Sequence, residues 1–170
     1  GPLDMRFDQS NGSSAAKLID QADRYSLAQI FKEYGEERLA SRIAKSIKEM
    51  TKMNTIADLR EAIRRCTPPN HRDRTFARIF QALRIAVNQE LGILQQFLAK
   101  FIDFLRPGGR IVIISYHSLE DRLVKHSFKE LASGGKLDIL TKRPITATEK
   151  ERKKNRRARS AKLRAAVKVA

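Results

Sequence analysis

Hydrophobic positions follow a helical period through the first ninety or so residues and change to strand-like patterns only after Pro107. Ser13 or Ser14 is placed to cap a short helix over Ala15–Ala22, and Ser26 to cap a second that stops at Gly35. From Glu36, residues Leu39, Ile43, Ile47 and Met50 form one apolar stripe. Thr55 and Asp58 have the spacing of a capping box, opening a helix that carries Leu59, Ile63 and Cys66. The two prolines of TPPNHRDR, Thr67 to Arg74, predict a loop with His71 as a solvated member. Thr75 to Leu105 then reads as one long helix, or two meeting near Gly92, with a dense apolar face from Ile79 to Leu105. Arg84, Asn88 and Glu90 sit at the boundary of that face. Arg84 and Asn88 are four apart and share a side, which suits a common partner.

After the turn Pro107-Gly108-Gly109 the four β-branched residues Ile111 to Ile114 predict a strand covered on both faces, as in an α/β sheet. That strand runs into a polar elbow holding His117, Ser118, Glu120, Asp121 and Arg122. Open α/β sheets bind ligands outside the carboxyl ends of their strands, so the elbow is a candidate site. A plainer reading stands beside it: Ser118 caps the next helix, with Asp121 three residues on as its box partner. Gly134-Gly135 turns the chain into a short strand over Lys136–Lys142. Near the end, Leu163, Ala165, Val167 and Val169 alternate with Lys162, Arg164 and Lys168, predicting a final strand with one polar face.

Charge changes the picture from fold to partners. The 170 residues carry 35 Lys and Arg against 19 Asp and Glu, a net charge of +16. Lys142 to Arg164 holds eleven basic residues against Glu149 and Glu151, or nine of those sixteen charges. A polyanion is the expected partner, and a basic block that ends in a strand is a shaped surface rather than a loose tail. With 41% hydrophobic residues the chain has enough apolar content for a folded core, and no apolar run is long enough to cross a bilayer. One cysteine, Cys66, gives no internal disulfide and is expected to pack as a small apolar side chain. A reducing compartment follows, the cytoplasm or an organellar matrix. No metal site is expected.

Five ordered blocks carry a resemblance: GPLDMRFD (Gly1–Asp8), YGEERLASRIA (Tyr34–Ala44), FQALRIAVNQEL (Phe80–Leu91), SYHSLEDRLVK (Ser115–Lys125) and RSAKLR (Arg159–Arg164). Together they resemble the bacterial small-subunit (16S) ribosomal RNA (cytosine-N4) methyltransferases, the MraW or RsmH family. The resemblance implies an α/β fold: the C-terminal part of a Rossmann-like, S-adenosylmethionine-dependent methyltransferase with a helical insertion domain. Residues 1–13 would end the N-terminal core segment, 14–75 form the insertion, and 76–170 the C-terminal core with its basic, RNA-facing segment 142–164. The implied reaction moves a methyl group from S-adenosylmethionine to the exocyclic amine of a cytosine near the decoding centre.

The same resemblance implies a preceding strand and Gly-rich loop for the cofactor, and the chain is expected to be an incomplete portion that gains them from a missing half or a partner chain. Its cofactor-binding residues are therefore left unassigned. His117, Ser118, Glu120 and Asp121 are the catalytic candidates. His117 would accept the amine proton or hold the ring, and the two acids would accept hydrogen bonds from the amine or orient Arg122. Arg122, Asn155, Arg157, Arg159, Ser160, Lys162 and Arg164 are the candidates for RNA. Asp4, Arg6, Arg84 and Asn88 are expected to support structure or substrate. Tyr116 stands where Phe is usual in the family, and Arg156 where Pro usually follows Asn155. Two other classes compete: a non-catalytic RNA-binding factor in ribosome assembly derived from the enzyme, and a general basic nucleic-acid module. Small-subunit ribosomal RNA, or the subunit itself, is the expected partner of the first two.

Overall fold

Residues 1–169 are described by the computed structural model and divide into two compact units, Gly1–Glu90 and a second beginning at Leu91. Five helices build the first: α1 (Ala15–Gln21), α2 (Arg24–Gly35), α3 (Ala40–Lys48), α4 (Ile56–Cys66) and α5 (Arg72–Asn88). Their apolar stripes meet in one core that includes Leu27, Phe31, Ile43, Ile47, Leu59, Ile63, Ile79 and Leu83. The N-terminal segment is threaded into it: Leu3 is buried, donates to the Asn54 carbonyl at 2.9 Å and accepts from Ala16 N at 2.9 Å.

Both bonds of the Thr55–Asp58 capping box are formed, and Ser14 caps α1. Cys66 is half-buried against the core, where burial pushes its thiol pKa up. Other boundaries differ from the pattern. Asp23, not Ser26, caps α2; its carboxylate accepts from the Ser26 amide at 2.6 Å, a stronger acceptor at that position than a hydroxyl. The Pro68-Pro69 loop contracts to a single 3₁₀ turn, Pro69–His71, so α5 starts three residues earlier than expected. Proline is suited to the first turn of a helix and does not extend the loop. The long apolar stretch breaks at Gln89, which takes φ +50°, rather than at Gly92. Gly92 stays inside α6 (Glu90–Lys100).

Gly35 does not end α2 by adopting a left-handed conformation; Glu36 does, at φ +49°. The glycine is needed for proximity. A Cβ there would lie 2.8 Å from the Arg78 carbonyl oxygen, so α2 and α5 meet backbone to side-chain-free backbone.

The second unit is a four-stranded antiparallel sheet with helices on one face. Its strands are β1 (Arg110–Ser115), β2 (Leu137–Ile139), β3 (Ile145–Thr146) and β4 (Lys162–Lys168). The last strand is central, pairing with each of the other three. Helix α7 (Ser118–Ser133) and α6 pack on the face that presents Ile111, Ile113, Ala166 and Leu137. A further short helix, α8 (Glu149–Lys154), lies within the basic segment.

Two expectations are corrected here. β1 is covered on one face only among the described residues: Val112 and Ile114 are 56% and 51% exposed. The polar side of β4, which carries the RNA candidates Lys162 and Arg164, lies on the helix-covered face, and Arg164 is buried there. Register sets Arg164 opposite Ile113 and Ala166 opposite Ile111, on the helix-covered face, while Leu163, Ala165 and Val167 share the other with Val112 and Ile114. The charged side chains are accommodated by partners. Arg164 reaches a carboxylate, and Lys168 Nζ donates to the carbonyls of Ile102 and Leu105 at 3.0 and 2.9 Å. Alternation of residue type gives the period of a strand but not which side faces the helices.

The division at Glu90 groups α5 with the helices before it, whereas the sequence reading ended the insertion at residue 75.

Candidate functional site

The elbow between β1 and α7 is held by two interlocking devices. His117 is the N-cap of α7, in place of the expected Ser118: its Nδ1 accepts from the Glu120 amide at 3.3 Å. Glu120 returns the bond, with Oε2 accepting from the amides of Tyr116 at 2.9 Å and His117 at 3.3 Å. The box partner is thus Glu120 and not Asp121, because it is three residues beyond the residue that does the capping. An acceptor role for Nδ1 puts the neutral ring's proton on Nε2, which lies 3.4 Å from Glu120 Oε1.

Asp121 forms the second device. Its carboxylate receives Arg164 Nε at 2.7 Å and a second guanidinium nitrogen at 3.2 Å, and Lys162 Nζ lies 3.6 Å away. Both side chains of the fork are nearly buried, 11% and 8% exposed. The guanidinium holds the Asp121 carboxyl below the usual carboxylate range, through hydrogen bonding first, against the opposing effect of burial. Arg164 is therefore corrected: its guanidinium is committed inside the fold, away from phosphates. What the elbow turns outward is Tyr116, 54% exposed, together with the exposed Ser118 and Arg122.

The basic segment reaches this elbow through β4. Asn155 caps a 3₁₀ turn, Arg156–Ser160, with its side-chain oxygen accepting from the Arg157 amide at 3.1 Å. Arg157, Arg159 and Ser160 are exposed, with Ala158 buried between the two arginines as the anchor. Lys162, next along β4, stands beside Asp121.

The four remaining candidates lie in the first unit, and three of them, Asp4, Arg6 and Asn88, hold its N-terminal segment. Arg6 forks onto Asp4 at 2.7 and 2.9 Å and donates to the carbonyls of Asn11 and Gly12. Asn88 donates to the Met5 carbonyl at 2.9 Å and accepts from the Phe7 amide at 2.8 Å, which fixes Met5 at φ +64°. Arg84 does not share that partner; it pairs with Glu90 at 2.7 and 3.0 Å.

A methyl-donating cofactor needs amides free to cradle it, and the glycine pairs offer none. Gly108, Gly109, Gly134 and Gly135 each donate their N–H to a carbonyl of the fold, to Lys168, Arg106, Glu130 and Ala132 respectively. The glycine turns of this chain do not fit that group.

The second unit thus combines an antiparallel sheet, a polar strand-to-helix elbow and a basic segment that ends in the sheet's central strand. Residues 1–169 match the model of the MraW methylase family, and the chain belongs to it. It is 51% identical over 171 residues to the ribosomal RNA small subunit methyltransferase H of Synechocystis sp., covering 99% of this chain and 55% of that protein. The proteins of the same name from Trichormus variabilis and Trichodesmium erythraeum are 53% and 49% identical, again over 99% of this chain and over 55% and 60% of theirs. The chain spans about half the length of the curated relatives it matches. No helix of the described residues is long and apolar enough to cross a membrane.

Proposed function

We propose that this chain supplies the substrate-facing elbow and an RNA-binding surface for methylation of a cytosine N4 in small-subunit ribosomal RNA near the decoding centre. S-adenosylmethionine would be the methyl donor, in the cytoplasm. Its contacts would come from residues beyond this chain, in a longer protein or a partner. The observation that carries the reading is the Asp121–Arg164 fork, which ties the elbow to the strand leading out of the basic segment. RNA gripped at Arg157 and Arg159 would be delivered beside Tyr116 and Ser118.

The cytosine amine is a weak nucleophile because its lone pair is delocalised into the ring, so alignment is the main contribution a protein can make. His117 and Glu120 would act as positioning residues that fix the corner. With Nδ1 engaged and the ring proton on Nε2, His117 is suited to hold rather than to deprotonate. Ser118 and Arg122 would meet the base and its flanking phosphate, and Tyr116 would offer an aromatic face. Residues 14–75 would form the helical insertion and 76–170 the catalytic core's C-terminal part.

The test uses the longer protein, or this chain together with the partner that supplies the cofactor contacts, and follows transfer of tritiated methyl from S-adenosylmethionine to small subunits, with the labelled nucleoside identified. Label on cytosine N4 supports the reading. Salt-sensitive RNA binding without label transfers the assignment to a non-catalytic assembly factor.

A further inference from the structure

Beyond its first turn, α7 carries a feature that the elbow does not use. Lys125 and Lys129 are four residues apart on this helix, share one face, and are both exposed. Like charges at that spacing repel and weaken a helix. Lys142, also exposed, follows the end of β2. None of the three has an acidic partner among the described residues.

These lysines border a cleft of about 370 Å³ between α7 and the chain leaving β2, within the second unit. The volume lies in the range of roughly 300–1,000 Å³ typical of ligand clefts. Phe128 and Ile139 give it apolar wall, and no acidic residue lines it among the described residues. Its two other polar side chains are already engaged. Arg164 is held by Asp121, and the Thr141 hydroxyl accepts from the Ala165 amide at 2.9 Å and donates to the Ala165 carbonyl at 3.4 Å.

An apolar wall with its polar groups spoken for, rimmed by three unpaired ammonium groups, describes one ligand chemistry. A nucleobase placed there would leave its ring carbonyls and amines without partners, which is costly. A second copy of the chain would set lysine against lysine. We propose that this cleft docks an acidic protein segment, one apolar side chain entering between Phe128 and Ile139 and the flanking carboxylates lying on Lys125, Lys129 and Lys142. An apolar anchor in a pocket with a charged rim is the arrangement that carries binding energy at protein interfaces. The inference stands apart from the RNA reading above and adds a protein partner on a different surface.

The experiment measures, by fluorescence anisotropy, binding of a labelled peptide with three glutamates on each side of a leucine, and of the same peptide with alanine in the leucine's place. The proteins are the unaltered chain, Lys125→Glu/Lys129→Glu and, as a matched charge reversal on α8, Lys150→Glu/Lys154→Glu. Circular dichroism checks that each is folded. The unaltered chain is expected to favour the leucine peptide about tenfold, as burial of most of the extra apolar side chain supplies. Lys125→Glu/Lys129→Glu should weaken the leucine peptide by about tenfold or more and remove its advantage over alanine, because like charges then face each other. The reversal on α8 should keep that advantage. Equal binding of the two peptides by the unaltered chain overturns the proposal, as does a preference for leucine that survives Lys125→Glu/Lys129→Glu. Single-stranded oligouridylate is the third probe. If Lys125→Glu/Lys129→Glu weakens its binding and leucine brings no advantage, the cleft belongs to RNA and the proposal falls.

Discussion

Arg164 on the central strand and Asp121 in the first turn of α7 form a fork at 2.7 and 3.2 Å inside the second unit, 43 residues apart in sequence. The pair joins the elbow to the sheet, and the nearby Lys162 ammonium adds to the field on the same carboxylate.

Removing one partner leaves the other charged and buried. Asp121→Ala is expected to destabilise the protein by about 3–5 kcal/mol. Asp121→Leu with Arg164→Met should recover much of that loss, which chemical denaturation of the single and double variants will measure. A double variant no more stable than the single would assign the effect to something other than the orphaned charge.

The same pair sets an acid limb. The folded-state pKa of Asp121 is depressed, so its contribution is fully present above the ordinary carboxylate value, about 4. It is lost as pH falls through the lower folded value. Melting temperature measured between pH 5 and pH 2 should fall more steeply for the unaltered protein than for Asp121→Asn. Parallel curves would be evidence against the linkage.

His117→Ala removes the cap of α7 and is expected to cost about 1 kcal/mol of stability, with a larger loss in methyl transfer than in RNA affinity. His117→Asn, a strong capping residue, should restore most of the transfer if the imidazole positions the elbow. Failure of asparagine to rescue, in a protein with normal melting, would give the ring a direct part in the reaction.

Arg157→Ala with Arg159→Ala should weaken small-subunit RNA binding and flatten its salt dependence by one to two phosphate contacts, a slope change of about 0.7–1.4 on single-stranded rules. An unchanged slope takes these residues off the RNA surface.

Gly35→Ala forces a methyl group against the Arg78 carbonyl and is expected to destabilise the first unit by about 1–3 kcal/mol. Gly92→Ala, with open space around its Cβ position, should be neutral or slightly stabilising. Thermal melts of both variants compare close approach with helix propensity directly.

Local chemistry was legible in the sequence wherever one turn of chain decides the outcome. Thr55 and Asp58 cap α4 because the residues that complete the box are three apart, and the alternation from Lys162 makes a strand whatever its neighbours are. The basic segment's end in β4, and the polar crowding at the elbow, were also visible there. Three-dimensional proximity decided the rest. Which of Ser118 or His117 caps α7, and which acid answers it, depends on where β1 releases the chain. Arg164 faces inward because Asp121, distant in sequence, waits there with a compensating charge; alternation carries no information about such a partner. Gly35 shows the same limit. The residue type signalled a helix end, but its purpose, letting α5 approach α2, exists only once the two helices pack. Sequence determines what each segment can form by short-range sterics and hydrogen bonding, whereas burial of charge and close backbone contact are properties of the assembled neighbours.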